Sequence, residues 1–79
     1  MPIATNPNFQ LHQVSRLLRC QKTQRYFTGD SWSHASDEAK NYNCEIDAVR
    51  GCVQNNLRDV ELVLRAPGGF TDIFCTPVR

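Results

Sequence analysis

Val60-Glu61-Leu62-Val63-Leu64 is the strongest apolar run in the chain, aliphatic at every position but one. It predicts a strand covered on at least one face. Ala66-Pro67-Gly68-Gly69 follows, with proline placed to set the first central position of a type II turn and glycine to accept the positive φ of the second. Phe70-Thr71-Asp72-Ile73-Phe74-Cys75 then predicts the returning strand, which Pro77 ends. A second hairpin is expected upstream. Arg16-Leu17-Leu18-Arg19-Cys20 and Arg25-Tyr26-Phe27-Thr28 flank the polar connection Gln21-Lys22-Thr23-Gln24, the pattern of two strands about a short loop.

Between the hairpins the period changes from two to that of a helix. Gly29-Asp30 turns the chain, and Trp32 is expected as a core anchor because of its large apolar area. Ser33 or Ser36 can cap a helix of about two turns, with Asp37 and Glu38 complementing its dipole and Ala39 and Tyr42 sharing a face. Asn43 can cap a second helix, in which Ile46, Val49 and Val53 recur at i, i+3, i+7 as the buried face beside Cys52. That register puts Gly51 on the solvent side. Asn55-Asn56 tolerate the left-handed backbone that ends a helix, with Leu57 folding back as the apolar follower. The fold class expected is α+β: a small antiparallel sheet of two hairpins, in the order ββααββ, with two short helices packed on one face. Residues 1–13 read as a flexible N-terminal arm and 14–79 as a single domain. A competing helix starts at Asn6-Pro7 and carries Leu11, Val14 and Leu18 on one face.

The stretches Arg25-Tyr26-Phe27-Thr28-Gly29-Asp30-Ser31-Trp32, Glu38-Ala39-Lys40-Asn41-Tyr42, Leu57 to Leu64, and Asp72-Ile73 before Pro77 together resemble a group of small free-standing bacterial proteins. Those share a tyrosine-rich hairpin, a glycine–tryptophan corner, a short helix with alanine and an aromatic, and a strand like Val60–Leu64. The resemblance covers roughly residues 16–78 and implies the fold. It implies no activity, so no functional residue carries over. Gln24 stands where members of that group often have glycine.

Length limits function. A chain of 79 residues buries roughly 60% of the surface it exposes unfolded, so its large apolar residues are needed for the core. An enclosed substrate cavity of several hundred cubic ångströms is not expected. The N-terminus lacks the basic and apolar regions of a secretory signal, and no apolar run approaches the ~20 residues of a membrane span. The expected compartment is therefore the reducing cytosol, without a membrane. Cys20, Cys44, Cys52 and Cys75 are spaced 24, 8 and 23 apart, with no C-x-x-C and no histidine at ligand spacing. Buried, reduced thiols are the leading reading, with a Cys20–Cys75 disulfide or zinc as alternatives.

No constellation points to catalysis. His34 lies three residues before Asp37, which equally marks a capped helix start. Gly68-Gly69 leads into a strand, whereas a phosphate loop opens a helix. No catalytic residue, cofactor or metal site is expected, and the protein reads as non-enzymatic. Net charge is +1, but residues 1–29 carry +4 and the remainder −3. Arg16, Arg19, Lys22 and Arg25, near Tyr26, Phe27 and Trp32, are therefore the candidate residues for weak binding of single-stranded nucleic acid. A near-neutral pI and an acidic remainder make that partner the less favoured one. The preferred reading is a protein-interaction or accessory module, joining an unknown protein partner or a second copy through a sheet edge.

Overall fold

The computed structural model describes residues 14–66 and 71–79. The expected N-terminal arm, the start of the competing helix and the Pro67–Gly69 turn lie outside the described residues. Five strands form one antiparallel sheet: β1 (Ser15–Cys20), β2 (Tyr26–Phe27), β3 (Trp32–Ser33), β4 (Val60–Arg65) and β5 (Asp72–Pro77), in the spatial order β3-β2-β1-β4-β5. Among the described residues a single 3₁₀ turn spans Ser36–Glu38, and one α-helix, α1, spans Glu45–Gln54. Both expected hairpins are present, and β1 joins them by pairing with β4 from Ser15↔Arg65 to Cys20↔Val60. Because Leu18 lies in β1, the competing helix does not extend that far.

The ββααββ order with two helices is corrected to three strands, a 3₁₀ turn, one helix and two strands. Trp32-Ser33 pairs with β2, through Phe27↔Trp32 and Tyr26↔Ser33, and becomes a third strand. The expected first helix stops after one turn because the sheet claims its backbone. β2 is only two residues long and leaves the outer backbone groups of Arg16 without a strand partner. The chain at 40–42 fills that place: Tyr42 N–H donates to Arg16 C=O at 2.9 Å, and Arg16 N–H donates to Asn41 Oδ1 at 2.9 Å. Lys40 N–H donates to Phe27 C=O at 2.9 Å, and Ala39 is already extended at φ −66°, ψ 141°. Satisfying buried backbone groups outweighs the weak propensity of a two-turn helix.

The face of α1 is also reversed. Ile46, Val49 and Val53 are exposed, Ile46 at 69% and Val53 at 57%. The buried residues are Ala48, Gly51 and Cys52. Small side chains let the helix lie close on the sheet, where it joins Leu18, Phe27, Tyr42, Leu57, Val60 and Leu62 in the main core. Gly51 meets the ring of Tyr42 so closely that an added Cβ would sit 2.7 Å from the tyrosine oxygen. Its lack of a side chain is therefore a packing requirement. The helix ends as expected. Asn56 takes φ 53°, Leu57 N–H donates to Cys52 C=O at 2.9 Å, and Asn56 N–H donates to Val53 C=O at 3.0 Å. This pair of bonds is the Schellman arrangement.

Trp32 is half-buried, at the margin of the core, with its ring tilted against Phe27 at 5.4 Å between centroids. Its anchoring role is thus shared with the wholly buried Leu18, Val60 and Val63.

Gln24 closes the β1–β2 connection in the left-handed region, at φ 63°. A side chain is strained in this region, where glycine is not. Gln24→Gly is expected to stabilise the fold by about 0.5–1 kcal/mol, offset in part by the exposed Gln24–Gln21 hydrogen bond. Equilibrium urea denaturation reads this. An unchanged or lower midpoint would contradict it.

Candidate functional site

Strand alternation sorts the polar residues onto two faces. Arg16, Leu18 and Cys20 share the helix-covered face of β1. Leu17 and Arg19 share the other, where Leu17, Tyr26 and Val63 form a second small core. Over this second face the long side chains of four strands converge. Arg19 pairs with Glu61 at 2.8 Å and with Asp72 at 3.1 Å, and Arg65 reaches Asp72 at 2.9 Å. The Tyr26 hydroxyl accepts from Arg65 Nη2 at 2.6 Å and from Arg19 Nη1 at 3.4 Å. Both guanidiniums also lie on its ring, 5.2 and 5.8 Å from the centroid. Two cations and two anions thus neutralise one another over an apolar patch, with Cys75 Sγ 3.4 Å from Arg19 Nη2.

The network holds its charges in place. Burial alone would push the Asp72 carboxyl up, but hydrogen bonds from Arg65 and Arg19 outweigh it and hold the group below the usual carboxylate range. Burial works against the charge of Arg19 too. Its bonds to Glu61, Tyr26 and Asp72 overcome this and raise its pKa further.

The network braces β4 against β5, the strand at the sheet's edge. β5 turns half of its backbone groups outward. Val78 N–H donates to Val60 C=O at 2.9 Å, so by alternation the backbone of Cys75 points away from β4. Pro77 falls on the same outward side, where its missing N–H costs no ladder bond. The register shifts between Leu64 and Arg65, leaving Ile73 opposite no residue of β4. Ile73 is 44% and Phe74 53% exposed.

The four candidate nucleic-acid residues are not brought together. Arg16 is buried at 8% exposure, with Nε 3.3 Å from Glu45 Oε1 and Nη1 donating to Val14 C=O. Arg19 belongs to the network on the opposite face. Lys22 is exposed in the β1–β2 turn, 3.4 Å from Asp59, and exposed Arg25 donates to His34 Nε2 at 3.1 Å.

The cysteines do not form one layer. Cys52 is buried, Cys20 and Cys44 are half-buried and Cys75 is exposed, all as free thiols. Cys20 and Cys75 lie on opposite faces of the sheet, which separates the candidate disulfide pair. Burial pushes the Cys52 thiol up, whereas a hydrogen bond with Thr23 lowers that of Cys20. Among the described residues no group of histidine, cysteine and carboxylate side chains could hold a metal ion, and no helix is long and apolar enough to cross a membrane.

Sequence reading missed the network. Its signal was present in the period-two placement of Arg19, Glu61, Arg65 and Asp72. Reading it required the β1–β4 register. The class defined is a small α+β protein with one helix on one face of a five-stranded sheet and an ion network on the other. No family model, curated protein or solved structure matches the chain.

Proposed function

We propose that this protein is a non-enzymatic, cytoplasmic protein-interaction module that joins its partner strand to strand along β5. The observation that carries the reading is the outer side of β5, where the N–H and C=O of Cys75 face outward beside the exposed side chains of Ile73 and Phe74. Edge strands invite pairing, and the main chain supplies affinity while side-chain pockets supply selection. The partner is an extended segment of another protein or β5 of a second copy. The ion network supports this role by holding β5 rigid on its inner side, so that little order has to be gained on docking. The exposed apolar stripe of α1, with a hollow of about 340 Å³ along Glu45, Ile46, Val49 and Arg50, offers a second contact.

Two variants test the edge. Cys75→Pro deletes an outward N–H at the cost of the exposed Arg19–Cys75 Sγ contact, which Cys75→Ala removes alone as a control, and Phe74→Lys puts a charge where apolar contact is needed. Sedimentation of the pure protein over rising concentration reads self-association, and quantitative affinity capture against both variants reads association with other proteins. Each variant is expected to weaken the association at least about tenfold, the effect of one lost contact of about 1.4 kcal/mol. Associations that persist unchanged in both variants, or none in either assay, would overturn the reading.

A further inference from the structure

Ile73 and Pro77 are placed symmetrically about Cys75, two residues to either side, and all three are exposed on β5. Exposed edges are usually guarded by a charge, most often lysine. Between Ile73 and Pro77 the chain carries no charged residue. The charges on the adjoining face, Arg19, Arg65, Glu61 and Asp72, cancel within one copy of the chain. Two such edges therefore meet without repulsion.

Symmetry and proline limit how they can meet. An antiparallel pair of identical strands has a two-fold axis, so one residue faces itself. An axis at Thr76 would set Cys75 opposite Pro77, which has no N–H to return. An axis at Phe74 would set Cys75 opposite Ile73, where the register shift between Leu64 and Arg65 breaks the alternation of the strand. An axis at Cys75 keeps the regular part of β5. The outward N–H and C=O of each Cys75 then bond those of the other, and Ile73 lies beside Pro77 of the second copy. Phe74 faces Thr76 of the second copy, and the two Phe74 rings become diagonal neighbours within reach of one another.

We propose that β5 is the interface of a reversible homodimer, in which two copies pair antiparallel about a two-fold axis at Cys75 and their sheets become continuous. This rests on the strand-to-strand reading above and commits its occupant to a second copy of the chain. A strand edge buries little area, so the dissociation constant is expected on the order of 100 μM.

The free Cys75 thiol reports the axis. Facing Cα atoms in a hydrogen-bonded antiparallel pair lie about 5.5 Å apart, inside the roughly 4.4–6.8 Å span of a disulfide. Diamide is the oxidant: it takes two protons and two electrons from the two thiols, which form the S–S bond, and is itself reduced to the hydrazine. The full chain is oxidised at concentrations on both sides of about 100 μM, the links are located by peptide mass spectrometry, and untreated protein is sedimented in parallel. A Cys75–Cys75 link is expected to dominate, and a reversible dimer to grow with concentration. Ile73→Cys with Cys75→Ser controls for random collision, since Ile73 is also exposed. Its Cα atoms would lie about 13 Å apart across the axis, so linking is expected at least about tenfold more slowly. Cys75→Ser alone is expected to sediment like the parent. A monomer at every concentration to about 1 mM, equal linking at the two positions, or links mainly through Cys20 or Cys44 would overturn the dimer. If affinity capture then still depends on Phe74, the edge reading stands with another protein as its occupant; if it does not, both fall.

Discussion

Gly51→Ala is expected to destabilise the protein by about 2 kcal/mol, although alanine is the better helix former by up to ~1 kcal/mol. The new methyl carbon would lie 2.7 Å from the Tyr42 oxygen and 2.9–3.0 Å from two ring carbons. Tyr42 cannot swing away freely, because its ring is buried and its backbone is tied to Arg16. Overpacking of this kind typically costs about 1–3 kcal/mol before the helix gain is counted. The sign can be checked against a purely helical explanation. In a Tyr42→Ala background the obstruction is gone, and Gly51→Ala should become neutral or stabilising by up to about 1 kcal/mol. A stabilising effect in the parent protein would show that the ring does not press on Gly51.

Asp72→Ala is expected to cost about 2 kcal/mol. The carboxylate is shared by Arg19 and Arg65, whose side chains are 14% and 12% exposed. Removing it leaves two nearly buried guanidiniums with fewer partners. Breaking a fully buried pair costs about 3–5 kcal/mol, and the 28% exposure of Asp72 brings the figure down. The same group sets an acid dependence. Its folded pKa lies below the unfolded value of about 3.9, so its contribution is fully present above that value and is lost as pH falls through the folded pKa. Between about pH 5 and pH 2 the parent protein should therefore lose more stability than Asp72→Asn does. Denaturant midpoints across that interval measure it. Parallel curves for the two proteins would remove the network from the stability account.

The hairpins were legible because their information is local. The polar 21–24 segment and the aliphatic run at 60–64 define strands without reference to anything distant. The end of α1 was legible for the same reason, since the left-handed Asn56 and the folded-back Leu57 need only their own helix.

Tertiary structure decided the rest. Residues 36–42 carry a fair helical pattern, but the open backbone of Arg16 beside the short β2 draws Asn41 and Tyr42 into extended structure. The period of α1 fitted two faces equally well: the large stripe of Ile46, Val49 and Val53, and the small one of Ala48, Gly51 and Cys52. Size pointed to the first. The sheet chose the second, because Tyr42 already filled the space a large side chain would need. The candidate surfaces follow the same division. The edge position of β5 follows only from the pairing of β1 with β4, and the pairing of Arg19 with Glu61 and Asp72 depends on a register between strands forty residues apart or more. The close approach of Tyr42 to Gly51 depends on how closely one helix lies on one loop. Sequence determines which segments can be strand, turn or helix, because those preferences act over a few residues. Which face is buried and which polar groups meet is settled only when unpaired backbone groups and the available volume are satisfied together.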